Sequence, residues 1–208
     1  MKNVTDREHN PFGMRPPCAD DDGDQTAFGY GDANADFHLI GDHPGVHGGK
    51  STGVPFTGTP AGEAIQSVLS DLGFASGPSD RPVYENLFAS YLHLCSVPDG
   101  HTPTAREYAD LEPYFDAELR AINAHILMPV GEQATDHVLG EYTTQRHRLD
   151  LEMADLHARQ IRGRGFLVVP INEPTAWKEG DEDEIVSTLE SILASDYRQT
   201  KGVATRVG

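Results

Sequence analysis

Residues 36–62, DFHLIGDHPGVHGGKSTGVPFTGTPAG, constrain the fold of this chain more than any other segment. A short apolar run at residues 37–40 ends in a glycine, and a long loop rich in Gly, Pro and His separates it from a helix-like stretch. Apolar strand, glycine-rich loop and helix in this order are typical of α/β sheets that bind a ligand at the carboxyl ends of their strands. A loop of this length in a compact domain is usually functional or disordered, and its prolines and glycines favour function.

Two more apolar runs predict buried strands within residues 125–131 and 166–171, and residues 82–95 suggest a short helix, a strand or both in succession. Apolar residues at helical spacing predict helices at residues 61–72, 102–123, 132–139 and 181–194, and residues 149–162 lean helical. Thr104 and Glu107 form a capping-box pattern at the start of the second helix. Strands without polar alternation, separated by helices, predict a mostly parallel sheet covered on both faces. We therefore expect an α/β fold, a three-layer α/β/α sandwich with a central, mostly parallel four-stranded sheet.

Length and turn chemistry predict one domain with irregular ends. A chain of 208 residues is most simply one domain with a sizeable core. Residues 1–35, rich in Pro, Gly and Asp, are expected to form an irregular N-terminal extension, and residues 198–208 a C-terminal tail. Residues 36–197 are then the folded domain. No apolar run approaches the length of a membrane span and no leader opens the chain, so we expect a cytoplasmic protein without a membrane partner.

The net charge of −17 is large for a chain of this size. It suits either an acidic protein that binds partners or a surface adapted to concentrated salt, and the spread of acids along the whole chain favours the second. Such a charge opposes nucleic-acid binding in dilute salt unless the binding face is locally basic. Cys18 and Cys95 are too few for a disulfide framework, and we expect free thiols rather than a disulfide or a shared metal.

The long loop contains two weak matches to known ligand sites. Residues 49–51, GKS, end like a phosphate-binding P-loop, but Pro44 stands where that motif needs glycine and no helix follows directly. The second match is a set of possible metal ligands, namely His38, Asp42, His43 and His47. Their spacing matches no closed ligand set. We therefore expect neither a nucleotide phosphate nor a metal here.

Two segments of the loop resemble the first active-site motif of the uracil-DNA glycosylase superfamily, in its family 4 and family 5 forms. Family 4 has G-E-A-P-G, a variable loop and T-G-x-P-F-x-G before a helix; here residues 41–45 read GDHPG and residues 52–58 read TGVPFTG. The inserted HGG at residues 47–49 and the FTG at residues 56–58 are closer to family 5. Further matches follow in order at residues 102–104, 125–131 and 162–165. The resemblance covers roughly residues 28–195.

Members of this superfamily flip a damaged base, usually uracil, out of DNA and hydrolyse its N-glycosidic bond. The resemblance therefore implies a DNA-repair glycosylase with DNA as its partner, and we expect a monomer. It implies that Phe56 stacks on the flipped base and that Asp42 orients the attacking water or stabilises the sugar cation. It also implies that four residues shape the pocket against the base: Gly41, His43, Pro44 and Gly45. An ordinary core position for Phe56 and a turn position for Asp42 are the alternatives.

Two departures from the family pattern bear on activity. The second motif, H-P-S, is replaced by Glu173, Pro174 and Thr175, so a carboxylate stands where the family's His stabilises the departing base. A carboxylate there repels a developing anion unless it is protonated. The replacement of His by Glu173 is consistent with release of a different base, with an altered mechanism that uses Glu173, or with a protein that only binds. Thr175 is still expected to contact DNA. The Asn that reads uracil aligns with Tyr91, or with Asn86 if the alignment slips.

The resemblance does not by itself predict an iron–sulfur cluster, and it does not identify the surface that binds DNA. The family 4 cluster needs four cysteines; Cys95 fits the third, Cys18 one of the first pair and Leu111 stands at the fourth, so we expect no cofactor. Five arginines are concentrated in one stretch of the chain: Arg146, Arg148, Arg159, Arg162 and Arg164. Either they form a basic patch that binds DNA, or they offset the charge of nearby acids. We expect DNA binding from Arg162 and Arg164, which precede the last strand.

Overall fold

The computed structural model describes residues 8–20, 26–98 and 100–197. Within these ranges the strands are β1 Tyr30–Gly31, β2 Phe37–Gly41, β3 Ala75–Ser76, β4 Val83–Tyr84, β5 Leu87–Tyr91, β6 Ile126–Pro129, β7 Ile161–Arg162 and β8 Leu167–Val168. The helices are α1 Pro44–His47, α2 Pro60–Asp71, α3 Ala105–Ile122, α4 Gly131–Tyr142, α5 Met153–Leu156 and α6 Asp181–Leu193. None of these helices is long and apolar enough to cross a membrane.

Six of the strands form one sheet in the order β1-β5-β2-β6-β8-β7. The inner four strands pair in parallel, and β1 and β7 pair antiparallel at the two edges. Three of the four parallel strands lie in apolar runs predicted as strands, and β5 decides the mixed stretch at residues 82–95 in favour of a strand, which confirms the mostly parallel sheet. The edge strands add two members to the predicted four, because strands of two residues contain too few side chains to produce a periodic pattern.

Helices cover both faces of the sheet, as predicted. On one face, Phe37 and Leu39 of β2 belong to a buried core that includes apolar residues of α2 and α6. On the other face, Ile40 of β2 and Phe88 of β5 pack with residues of α3 and α4. Since successive side chains of a strand point to opposite faces and all five residues of β2 are buried, this strand is covered on both faces.

The predicted start of α3 is confirmed, whereas the stretch before β7 differs from the prediction. The Thr104 side chain accepts from the Glu107 N–H at 3.3 Å, and the Glu107 carboxylate accepts from the Thr104 N–H at 2.7 Å. Residues 149–162 were expected to lean helical, which is wrong for most of the stretch. Only Met153–Leu156 are helical there, and the other apolar side chains pack onto the core from extended chain.

The N-terminal stretch that the sequence predicts to be irregular joins the fold in two places. Tyr30–Gly31 forms β1 against β5, which corrects that prediction locally. Cys18 forms a disulfide with Cys95, with their Cα atoms 5.9 Å apart, so the prediction of free thiols is wrong. The two cysteines are 77 positions apart and meet only because the segment before β1 lies beside the exit of β5. Residues 1–7 and the predicted tail at 198–208 lie outside the described residues.

Candidate active site

The carboxyl ends of the four parallel strands meet at one edge of the sheet, where the glycine-rich loop begins. Gly41 ends β2 and pairs with Tyr91, the last residue of β5. Beyond β6, the Gly131 N–H donates to the Ile171 carbonyl oxygen at 2.8 Å, which brings the segment after β8 to the same edge. Polar side chains that follow these strands therefore converge, although one bonded pair is 126 positions apart in sequence.

Two consecutive glycines turn the loop back on itself after α1. Gly48 and Gly49 both have a φ of +94°, in the left-handed region that favours glycine. A Cβ atom on Gly48 would lie 2.1 Å from the Thr57 carbonyl oxygen, so a side chain does not fit there. The Gly49 N–H donates to that same oxygen at 2.8 Å. This closure sets His47, just before the glycines, against Phe56, just before Thr57.

Three rings stack at the centre of the site. The ring centroids of His47 and Phe56 lie 5.4 Å apart with 24° between the planes, and those of His47 and Tyr91 lie 6.3 Å apart with 26°. Phe56 has no exposed surface. A flipped base can therefore stack on Phe56 only where His47 or another neighbour gives way.

The backbone of Phe56 is strained and is held by a tyrosine hydroxyl. Its φ of +59° lies in a region that non-glycine residues rarely adopt, at a cost of about 1–3 kcal/mol. The Tyr91 hydroxyl accepts from the Phe56 N–H at 2.7 Å and donates to the Gly48 carbonyl oxygen at 2.9 Å. Tyr91 thus fixes both sides of the loop, and burial raises its pKa, so it remains a phenol.

His47 links the loop to the segment after β8. Its Nδ1 accepts from the Asp42 backbone N–H at 3.1 Å, so the proton of the neutral ring is on Nε2. That Nε2 lies 3.0 Å from Glu173 Oε2 and donates to it. Glu173 Oε1 is buried and has no hydrogen-bond partner among the described residues. Buried polar atoms are normally paired, so this oxygen is available to a ligand N–H.

The Asp42 carboxylate, at the start of α1, is held through one of its oxygens. Tyr108, in the first turn of α3, donates its hydroxyl to Asp42 Oδ1. His43 Nε2 lies 4.0 Å from Asp42 Oδ2, while its Nδ1 accepts from the Gly45 N–H at 3.1 Å. Burial lowers the pKa of His43, and the Asp42 carboxylate opposes that shift. Burial and the bond to Asp42 raise the pKa of Tyr108, so the phenol keeps the proton that it donates.

His93 packs against His43 and Tyr108 and links them to the Cys18–Cys95 disulfide. Its ring centroid is 6.5 Å from that of His43 and 5.7 Å from that of Tyr108. Its Nδ1 donates to the Cys95 carbonyl oxygen at 2.9 Å, and burial lowers its pKa. The disulfide at Cys95 therefore anchors the strand exit on which His93 stands.

Most of the site residues predicted from sequence meet at this edge. They are Gly41, Asp42, His43, Pro44, Gly45, Phe56, Tyr91, Glu173 and Thr175. Thr175 is exposed on a 3-10 turn, Pro174–Ala176, that contacts α2. The chemical roles of these residues stay predictions.

Asn86 lies at the opposite end of β5 from the site. It precedes that strand, and its Oδ1 accepts from the Asp36 N–H at 2.8 Å. Asn86 and Tyr91 are five positions apart along extended chain, a distance of about 16 Å. Asn86 therefore cannot read a base stacked on Phe56, which corrects its predicted role. Tyr91, the alternative, does lie at the site, but its hydroxyl already bonds the loop backbone.

Arg162 and Arg164 also lie away from the site. Arg162 pairs with Leu167, which pairs in turn with Ile126 at the amino ends of the parallel strands. That level of the sheet is about 13 Å from Gly41. The two arginines therefore lie apart from the edge where the other predicted site residues meet, and their role in DNA binding stays a prediction. Within the wider arginine patch, Arg146 pairs with Asp136, as expected if arginines there offset acids.

Two contacts of the site could not be read from the sequence. The HGG at residues 47–49 was the available signal for His47, but nothing linked that histidine to Glu173. Tyr108 follows the capping box of α3, so its helical position could be predicted and its partner Asp42 could not.

The cysteines do not fit an iron–sulfur cluster. Cys18 and Cys95 are bonded to each other, and Leu111 packs against Cys95 in a small apolar cluster. The three positions do come together, but a cluster needs thiolate ligands. Among residues 8–20, 26–98 and 100–197, no group of three or more His, Cys, Asp or Glu side chains is arranged to hold a metal ion.

Comparison with known proteins relates this fold and site to one family. The model described as "Uracil DNA glycosylase superfamily" matches residues 28–189. The type-5 uracil-DNA glycosylase of Pyrobaculum aerophilum is 28% identical over 171 residues, which cover 79% of this chain and 72% of that protein. That of Thermus thermophilus is 29% identical over 118 residues, or 55% and 54%. That of Mycobacterium tuberculosis is 28% identical over 102 residues, and the chain spans only 38% of its length.

Proposed function

The chain belongs to the uracil DNA glycosylase superfamily, and from that premise we propose that it hydrolyses the N-glycosidic bond of uracil, or of another deaminated base, flipped out of DNA. The observation that best supports this proposal is the Asp42 carboxylate at the end of the central strand, with one oxygen held by the Tyr108 hydroxyl. Aromatic rings, a histidine N–H donor and a second carboxylate surround it. The relatives from Pyrobaculum and Thermus are named uracil-DNA glycosylases, which supports the same reaction.

Asp42 is the proposed catalytic carboxylate. Hydrolysis breaks the bond between C1′ of the sugar and a nitrogen of the base, and positive charge builds on the sugar as that bond breaks. Tyr108 holds Oδ1, so Oδ2 is left to stabilise the sugar cation and to orient a water molecule. The water oxygen forms the new bond to C1′, and one water proton passes to Asp42.

His47 and Glu173 are proposed to act on the base. The departing base keeps the bonding electrons, and its negative charge needs a donor. The His47 Nε2–H, which bonds Glu173 Oε2, can be shared with a carbonyl oxygen of the base. Glu173 Oε1, buried without a partner among the described residues, accepts a ring N–H. Deamination creates that N–H, since cytosine and adenine have a bare ring nitrogen where their deaminated products have N–H.

A non-catalytic member that binds nucleic acid or a nucleobase is the second candidate function. Glu173 is the observation that favours it, because an ionised carboxylate beside the departing base opposes the charge that develops there. The two candidates differ in the effect of Asp42→Ala. In an enzyme this change removes turnover with a modest loss of affinity, whereas a binder shows no turnover and little change in affinity.

The test incubates the purified protein with an oligonucleotide that contains one uracil, in molar potassium chloride and again in low salt. Alkali then cleaves the strand wherever a base has been released. We expect cleavage by the wild type, its loss in Asp42→Ala and its retention in Asp71→Ala, a control at an exposed aspartate at the far end of α2. No cleavage in either salt, with binding intact, contradicts uracil release and favours the binder or another damaged base.

We propose further that the excess of acids adapts the surface to concentrated salt and that the protein acts as a monomer. With a net charge of −17, the acidic side chains repel one another strongly in dilute salt, and molar salt screens that repulsion. Thermal unfolding in the two assay buffers tests the first point. A melting temperature that does not fall in low salt contradicts it.

A further inference from the structure

The Cys18–Cys95 disulfide lies where the family 4 pattern places an iron–sulfur cluster. Cys18, Cys95 and Leu111 align with three of the four ligand positions of that cluster. In the structure the two sulfur atoms are bonded to each other, and Leu94, Cys95 and Leu111 form a small buried apolar group against which Cys18 packs. A cluster needs thiolates at these positions, so the residues do not fit one. A covalent bond between two chain segments stands at this place instead.

The disulfide attaches the segment before β1 to the exit of β5, across 77 positions of the chain. Thr26, eight positions after Cys18, forms a β-bridge with Cys95, and its hydroxyl oxygen lies 3.4 Å from the Cys18 sulfur. The next residue, Ala27, donates its N–H to the Leu94 carbonyl oxygen at 2.9 Å. A cross-link between segments so distant in sequence restricts the open chain strongly, so its loss weakens this attachment.

The exit of β5 holds Asp42, the proposed catalytic carboxylate, from two sides. The His93 N–H donates to the Asp42 carbonyl oxygen at 3.0 Å. The His93 ring packs against Tyr108, whose hydroxyl donates to Asp42 Oδ1. The same ring donates from Nδ1 to the Cys95 carbonyl oxygen at 2.9 Å. His93 thus connects Cys95 to both the backbone and the carboxylate of Asp42.

A dithiol can reach the disulfide from the Cys18 side. Cys95 is buried, whereas Cys18 is only half-buried. One thiolate of the reductant attacks the Cys18 sulfur, the bond to Cys95 breaks, and Cys95 leaves as a thiolate that takes up a proton. The second thiol of the reductant then displaces Cys18, which is protonated in the same way. The dithiol has become a disulfide, and two electrons and two protons have passed to the two cysteines.

We propose that the Cys18–Cys95 disulfide is a redox-sensitive support of the active site, and that its reduction by a dithiol slows base release. The inference rests on the proposed function, because base release is the activity that it affects. Cys18 and Cys95 are positioning residues, since they act on Asp42 through His93. The effect is therefore expected on the rate at saturating DNA. A displacement of about 1 Å is enough to slow a reaction between positioned groups about 10²-fold.

The experiment compares the oxidised and the reduced wild type with Cys18→Ser, which cannot form the bond. Alkylation followed by mass measurement counts the free thiols in each sample. Base release from a uracil oligonucleotide is measured at saturating DNA in molar potassium chloride. Backbone hydrogen exchange is followed in parallel at residues 41–45, at residues 92–97 and, as a control, in α6.

We expect reduction to slow base release at least about tenfold and to speed exchange at residues 41–45 and 92–97 by a similar factor, with exchange in α6 unchanged. A disulfide that contributed only to global stability would speed exchange in all three segments alike. Reoxidation should restore both quantities. Cys18→Ser should behave like the reduced wild type, and the dithiol should have no further effect on it.

Five results overturn the proposal. They are free thiols in the wild type after treatment with oxidised glutathione, equal release rates in its two redox states, exchange that rises equally in α6, release by Cys18→Ser at the oxidised rate, and slowing of that variant by the dithiol. An oxidised wild type that releases no base contradicts the proposed function, and the exchange data then decide whether the disulfide holds the exit of β5. Equal base release in both redox states supports the proposed function and contradicts this inference.

Discussion

The two ends of the central sheet hold similar polar residues in different settings. At the amino end, Asp36 accepts from the Tyr197 hydroxyl at 3.1 Å and lies 3.5 Å from His125 Nε2. We call Asp36, His125 and Tyr197 the amino-end cluster. The carboxyl-end cluster, Asp42, His43 and Tyr108, has the same three residue types.

The surroundings separate the two clusters. The amino-end cluster joins the starts of β2 and β6 to the segment after α6, so its bonds hold chain segments together. The carboxyl-end cluster adjoins a glycine-rich loop, a strained Phe56 and a buried Glu173 oxygen that has no partner in the described part of the chain. Residue type therefore does not identify a site in this fold, and position relative to the direction of the parallel strands does.

Paired substitutions of the two aspartates test this comparison with the largest expected effect. Asp42→Asn is expected to slow base release about 10³-fold with little change in stability, because it removes the charge that stabilises the sugar cation. Asp36→Asn is expected to lower the free energy of unfolding by about 1–3 kcal/mol and to leave the release rate per folded molecule unchanged. Single-turnover release and denaturant unfolding measure the two quantities. The reverse pattern would show that the clusters have been assigned to the wrong ends.

Substitutions of His47, at the carboxyl end of the sheet, and of His125, at the amino end, are expected to differ less in their effects. His47→Ala is expected to slow release about 10²-fold, because it removes the donor to the departing base. Its affinity for an abasic oligonucleotide should not fall, because that ligand lacks the base to which the His47 Nε2–H is proposed to donate. His125→Ala is the control and should affect stability alone. A loss of affinity in His47→Ala, with its release rate kept, contradicts this assignment.

Glu118 is a buried carboxyl group that is expected to affect the stability of the fold and not the rate of base release. Burial on α3 raises its pKa to about 8, and the Gly29 N–H that donates to it opposes the shift. Between the ordinary value of 4.5 and about 8, the folded state keeps a proton that the unfolded state has lost. Stability contributed by this group therefore falls as the pH rises through that window, by about 1.4 kcal/mol per pH unit.

The measurement is the difference in the free energy of unfolding between the wild type and Glu118→Gln from pH 5 to pH 8, because that difference cancels the titration of His43, His93 and other groups that the two proteins share. The wild type should lose about 1.4 kcal/mol per pH unit relative to Glu118→Gln, and it should lose nothing relative to the same change at Glu112, which is exposed on the same helix. An equal decline in Glu118→Gln and the wild type would mean that another group is responsible.

Local patterns predicted the elements of this fold whose signal lies in neighbouring residues. Three apolar runs became parallel strands as predicted, residues 82–95 supplied the fourth, and the pair Thr104 and Glu107 marked the start of α3. The extended chain between α4 and β7 was harder to predict, because its apolar residues pack onto the core at a spacing that also suits a helix. The alignment of Asn86 with a base-reading position failed because a shift of five residues moves a side chain the length of the strand.

By itself the sequence determined the layered α/β fold, the glycine-rich loop after β2 and the place of Asp42 and Phe56 on that loop. These features depend on hydrophobic periodicity and on backbone conformations that particular residues allow, and both are local. The tertiary structure alone decided the bond between His47 and Glu173, the Tyr108 bond to Asp42, the Cys18–Cys95 disulfide and the end of the sheet at which each arginine lies. Those contacts join residues that are distant in sequence, and only the packing of helices on a sheet with a definite strand order brings them together.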